Sequence, residues 1–177
     1  MSKTEILITA AITLLIIWFS WYISIREKRF HGIWRFFSFE SILMLVMLNY
    51  TIWFSNPFSV KQIISWLLLI LSLLMALIGF GLLTRKGKAE GTFENTTELI
   101  TSGIYHYIRH PLYLSLFLLG TGAMMKDPRI PQVLLGAVNA IAVYLTARAE
   151  EKEMYIRFGS QYKEYCKRTK MFIPYIF

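Results

Sequence analysis

The sequence predicts an all-α integral membrane protein of five transmembrane helices, the last two forming a short helical hairpin, followed by a helical cytoplasmic C-terminal tail. Three observations carry this reading. Of 177 residues, 55% are hydrophobic and only 17% charged, where soluble domains carry about 25% charged residues. The mean hydropathy is +0.47, and the apolar residues sit in long blocks rather than alternating. Lys and Arg fall between the blocks, with a strong bias to one side of the expected topology.

The elements follow in order. Residues 6–25 form an apolar run about 30 Å long as a helix, enough to cross a bilayer. Lys3 precedes it as it would a signal peptide, but the run is long for one and lacks a small-residue cleavage site. Residues 26–35 are a short basic loop. Residues 37–54 form a second span, interrupted by Glu40, Asn49 and Tyr50, and Asn56-Pro57 makes a turn. Residues 63–83 are a third span. A polar connection over 85–109 leads to two shorter runs, 111–125 and 131–147, about 22 and 26 Å long, which form the hairpin. In the tail, Phe158-Gly159 reads as a helix stop, residues 161–167 as a second short helix, and Phe172-Ile-Pro174 as a return to apolar surroundings.

With the N-terminus outside, 15 of the 19 Lys and Arg residues lie on the inner side. The positive-inside rule therefore places the tail, and both polar clusters described below, on the cytoplasmic face. The net charge of +8 is explained the same way and does not require a nucleic-acid partner. On that side the sequon Asn95-Thr-Thr97 has no use. A single cysteine, Cys166, excludes an internal disulfide framework. Three His and one Asp without ligand spacing give no metal site. There is no glycine-rich strand-to-helix phosphate loop and so no soluble nucleotide-binding domain.

Two polar clusters flank the hairpin. The first is Gly103-Ile-Tyr-His-Tyr-Ile-Arg-His-Pro-Leu-Tyr113. Pro111 suits the first turn of a helix, and His110, preceding proline, is pushed out of helical conformation. A helix is therefore expected to start at 111 with His110 as its cap and Arg109 just outside. Its N-terminal N–H groups and Arg109 together would make an anion site, with Tyr113 on the first turn; an interfacial belt is the equal alternative. The second cluster is Arg148-Ala-Glu-Glu-Lys-Glu153. Adjacent helical residues point about 100° apart, so one of Glu150 and Glu151 is expected to face residue 109 and the other water. The competing reading is a solvated, alternating-sign helix start. Glu40, inside a span, is expected to pair with Arg29 or Arg35 or to line a substrate path. His31 and His106 read as interfacial.

Leu99-Ile-Thr-Ser-Gly-Ile-Tyr105, Arg109-His-Pro-Leu-Tyr113, Glu150-Glu151, Phe158-Gly159, Tyr162, Tyr165 and Phe172-Ile-Pro174 resemble the isoprenylcysteine carboxyl methyltransferase family, whose relatives include integral membrane phospholipid methyltransferases. The resemblance covers residues 80–174. It implies an S-adenosylmethionine-dependent methyltransferase working at the cytoplasmic face of the membrane on a lipophilic or prenylated acceptor, with an isoprenylcysteine-type carboxylate leading. Alternatives are a phospholipid or other lipid amine, or a non-catalytic membrane adaptor. It divides the single membrane domain into three N-terminal spans over 1–84 and a catalytic half over 85–177. It maps Tyr105, Arg109, His110, Pro111, Leu112, Tyr113 and Glu150 to cofactor binding, and Arg148, Glu150 and Glu151 to the catalytic end. Two departures stand out: Ser115 replaces a common Gly, and Arg148 lies two residues before the glutamate pair where relatives often place an arginine four before. A carboxylate acceptor is already ionised at neutral pH and needs no base; an amine must first lose a proton.

Overall fold

Residues 2–26, 29–88 and 97–176 are described by a computed structural model; Asn95 and Thr96 of the sequon lie outside them. The described residues form five α-helices. Helix α1 (Lys3–Ser20) opens with a capping box, the Ser2 hydroxyl accepting from the Glu5 N–H while the Glu5 carboxylate accepts from the Ser2 N–H. It runs on into a π-helical turn, Trp21–Ile25. Helix α2 spans His31–Asn49, α3 Val60–Lys86, α4 Pro111–Met124 and α5 Ile130–Arg168. No strand occurs among the described residues beyond an isolated bridge between Ile108 and Lys170.

Four segments are long and apolar enough to cross a membrane: Lys3–Ile25, His31–Ile52, Val60–Lys86 and Ile130–Arg168. The expected fourth span is a 14-residue helix, α4, about 21 Å long and shorter than a bilayer core. The hairpin is therefore asymmetric. Its second arm does not stop at residue 147 either, because Ala147, Ala149 and the charged residues to Glu153 are good helix formers with no breaker among them. The helix continues to Gly159, whose φ of 53° and ψ of −124° bend it before its last residues reach Arg168.

Helix α4 sits between α3 and α5, and α2 packs along α5. In lipid there is little hydrophobic drive between helices, so small and polar residues hold such contacts. Ser65 and Ser72 of α3 each donate at 2.7 Å to backbone carbonyls of α4, those of Gly122 and Ser115. Asn139 of α5 donates to the Leu116 carbonyl at 3.1 Å and accepts from Ser38 of α2 at 2.7 Å. Gly120 admits it; a Cβ there would lie 2.1 Å from Asn139 Nδ2. The outward faces of α1 and α3 are lined by exposed Leu, Ile and Phe, as a lipid-facing surface requires.

The two ends of the bundle differ. At one end Lys126 is fully buried, its ammonium donating to Gln62 Oε1 at 2.9 Å and lying over the rings of Trp66 and Trp53 at 3.8 and 5.1 Å. The other end gathers the basic loop before α2, the start of α4 and the charged stretch of α5.

Candidate active site

Helix α4 begins at Pro111 with His110 at the N-cap, as Pro111 demands, but the His110 side chain makes no capping bond. It turns instead to α5. Nδ1 lies 3.5 Å from Glu150 Oε2 and Nε2 lies 3.5 Å from Glu151 Oε1. The expectation that only one glutamate faces this segment is therefore corrected. Adjacent helical carboxylates diverge, yet one imidazole between them offers each a different ring nitrogen. The ring stacks on Tyr113 with centroids 5.5 Å apart and meets Phe172 at 6.1 Å. Burial works against its charge, but the two carboxylates prevail and hold the His110 pKa above the ordinary imidazole value.

Arg109 is held rather than free. Its Nε donates to Glu151 Oε1 at 2.7 Å and its Nη1 to the Thr169 carbonyl at 2.6 Å. Burial would lower its pKa, but the Glu151 carboxylate raises it. The backbone is clamped as well: the Arg109 and His110 N–H groups donate to the carbonyls of Lys170 and Met171, and the Lys170 N–H donates to that of Tyr107. Residues 107–110 and 169–171 thus lie side by side. The segment before them is fixed by Tyr105, whose hydroxyl donates to the Gly79 carbonyl at 3.3 Å while its own carbonyl accepts from the Tyr165 hydroxyl at 2.6 Å. Gly103 adopts φ of 63°, and a Cβ there would strike Leu82 at 2.6 Å.

These elements enclose a cavity of about 280 Å³. Tyr105, Arg109, His110, Pro111, Leu112, Tyr113 and Glu150 are on its wall. Glu151 is not, being turned to Arg109. Arg148 is exposed and also off the wall, so the structure separates it from Glu150; two residues earlier on the helix, it lies about 200° round from that glutamate. Met154 and Phe158, before the bend at Gly159, and Tyr162 and Tyr165, after it, complete the α5 side.

Three further residues come from the first two helices, which the sequence marked only as spans: Phe19 of α1 and Arg35 and Phe39 of α2. Arg35 had been counted as a loop charge. The available signal was its place inside an apolar stretch, Ile33 to Phe37 (apart from Arg35 itself), where a permanent charge demands a reason. The expected ion pair of Glu40 with Arg29 or Arg35 is replaced by a hydrogen bond from the Thr13 hydroxyl at 2.8 Å. Arg29 instead donates to Glu153 at 3.1 Å, and His31, expected at the interface, is fully buried with Nδ1 2.9 Å from the same carboxylate. Glu153 therefore ties the loop before α2 to α5, and removes His31 and Arg29 from solvent. Among the described residues no group of His, Cys, Asp and Glu could hold a metal ion.

Fold and cavity together define an all-α membrane protein with a buried acid–base cluster on the wall of a cavity at one end of its helices. The chain belongs to the phospholipid methyltransferase family, whose model matches residues 60–161. It is 35% identical over 88 residues to protein-S-isoprenylcysteine O-methyltransferase of Homo sapiens, covering 46% of this chain and 29% of that protein. It is 30% identical over 76 residues to methanethiol S-methyltransferase of Crocosphaera subtropica, covering 43% and 29%, and 33% identical over 84 residues to nickel-cobalt-cadmium resistance protein NccN of Alcaligenes xylosoxydans xylosoxydans, covering 45% and 37%. The matched region thus spans less than a third of the length of the first two of these relatives. No solved structure matches the chain.

Proposed function

We propose that this protein is an S-adenosylmethionine-dependent methyltransferase acting at the cytoplasmic face of the membrane on a lipophilic acceptor, with an isoprenylcysteine-type carboxylate as the leading substrate. The observation that carries the proposal is the Glu150 carboxylate, paired with His110 on the wall of a cavity bordered by tyrosines. The residues present fit the cofactor. A buried carboxylate and the face of Tyr113 suit a sulfonium. Tyr105, Phe158, Tyr162 and Tyr165 suit an adenine ring. The first turn of α4, which no side chain caps, offers N–H groups to the amino-acid carboxylate.

When bound, the cofactor supplies an electrophilic methyl group. The chain's own part is to orient and to exclude water. His110 holds Glu150 in place, Arg109 and Glu151 fix the backbone that carries His110, and the segment over 169–171 closes that backbone against solvent. With a carboxylate acceptor no general base is required, which accords with a cluster whose acids are engaged in ion pairs. A lipid amine is the second reading, favoured by the chain's membership of the phospholipid methyltransferase family.

S-adenosylhomocysteine titrated calorimetrically into the folded protein in detergent tests the donor site. Binding is expected, with loss of at least about tenfold in affinity on Glu150→Ala, as removal of a buried charged partner predicts. A folded sample that gives no heat removes the proposal. The acceptor is read from the product mass when membranes carrying the protein receive labelled S-adenosylmethionine with candidate lipids: an ester and a methylated amine are distinguishable.

A further inference from the structure

Arg35 lies outside the region matched by the family, yet it reaches the cavity wall. It is 4% exposed, and three features fix it. Its Nη2 donates to the Ser24 hydroxyl at 2.8 Å. Ser24 is presented by the π-helical turn Trp21–Ile25, a distortion that often marks functional sites. Gly32 lets α2 approach that turn, since a Cβ there would lie 2.4 Å from Ser24 Cβ. The guanidinium sits over Phe19 and Phe39, 5.5 and 5.7 Å from the ring centroids.

Those two rings also border a second space, an apolar groove of about 510 Å³ formed by α1, α2 and α4. Every residue along it is apolar, among them Leu15, Ile42, Leu43 and Leu119. Phe19, Phe39 and Leu116 belong to both spaces. None of Tyr105, Phe158, Tyr162 or Tyr165 borders the groove. Arg35 therefore stands where the cavity gives way to a hydrocarbon-like channel, apart from the tyrosines assigned to the nucleoside.

We propose that Arg35 binds the anionic head of a single-chain amphiphile whose apolar tail lies in the groove between α1, α2 and α4. A guanidinium matches carboxylate or phosphate oxygens in a two-pronged geometry, and an apolar groove that shares Phe19, Phe39 and Leu116 with the cavity suits a chain of the same molecule. This rests on the methyltransferase reading and extends it from the donor to the acceptor: anionic acceptors are selected over neutral ones.

The test is equilibrium binding to the protein in nanodiscs with two matched pairs of probes. One is N-acetyl-S-farnesylcysteine and its methyl ester; the other is lysophosphatidate and monoacylglycerol. In the wild type, at least one anion is expected to bind about tenfold or more tightly than its neutral twin. The pair with the larger ratio tells a carboxylate source from a phosphate one. Arg35→Gln abolishes the ratio, Arg35→Lys keeps part of it, and both retain S-adenosylhomocysteine binding. Equal affinity within both pairs in the wild type overturns the proposal whether or not any variant folds. So does an anion preference that survives Arg35→Gln, or loss of S-adenosylhomocysteine binding in that variant with the preference intact. Leu43→Trp fills the groove without touching Arg35; all four probes should weaken together, and unchanged affinities overturn the placement of the tail. Failure of the wild type to bind S-adenosylhomocysteine is a separate outcome that strikes the donor site alone.

Discussion

His110 has the surroundings of a charged imidazole. Its folded pKa is raised above the unfolded value, so the stabilisation from its two glutamates is complete below the unfolded pKa of about 6.5. It fades as pH rises through the folded value. Wild-type melting temperature should therefore fall on going from pH 6.5 into the alkaline range, while His110→Gln shows a flatter profile. A difference of about 2–4 °C is the scale expected for 1 kcal/mol in a chain of this size; superimposable profiles would refute the charged state. Arg109→Ala should be more severe. It leaves Glu151 without its 2.7 Å partner and the Thr169 carbonyl without its donor, and breaking a pair this buried costs about 3–5 kcal/mol. Thermal melting reads the loss, and Arg109→Lys should recover part of it. That Arg109 would meet the acidic stretch was legible, because a hairpin brings its two ends together. That Glu151 would occupy Arg109, leaving Glu150 for the cavity, was not: a period of 100° per residue separates the two glutamates without saying which one a guanidinium takes.

Helix α5 turns a membrane span into part of the cavity wall. Gly159, at φ 53° with nothing within 4 Å of a built Cβ, is required for its conformation and not for space. Gly159→Ala should therefore act by strain alone, of order 1–3 kcal/mol. By pulling Tyr162 and Tyr165 from the wall, it should also weaken S-adenosylhomocysteine binding more than it lowers the melting temperature; unchanged affinity would show that the bend does not place the tyrosines. Phe158-Gly159 was readable as a stop, and the short helix beyond it too, since glycine at the end of an apolar-periodic stretch has a local cause. The contribution of α1 and α2 was not readable. Phe19, Arg35 and Phe39 look like ordinary residues of spans and their margins, and only the approach of α2 to the π-helical turn, itself unmarked by any Pro or Gly in Trp21–Ile25, sets them against the cavity.

Across the whole molecule the polar chemistry is divided between the two ends. Arg29, His31, Arg109, His110 and the three glutamates 150, 151 and 153 lie at one, Lys126 with Gln62 and two tryptophans at the other. On the proposed topology, the uneven share of Lys and Arg puts the first end at the cytoplasm. With Cys166→Ser as background, Lys61→Cys should react with an impermeant maleimide from outside intact cells, and Lys163→Cys only after permeabilisation. Both positions are exposed; the opposite pattern would invert the topology and move the proposed site to the other leaflet.

The backbone pairing between residues 107–110 and 169–171 has a bearing on biogenesis. Ribosomes make residues 169–171 after every helix that borders the cavity, so the translocon can release all of those helices into the bilayer while the pocket is still unlatched. A chain cut before Thr169 would keep the five helices but lose the carbonyls that receive the Arg109 and His110 N–H groups, and on the proposed function it should hold S-adenosylhomocysteine more weakly than the full chain.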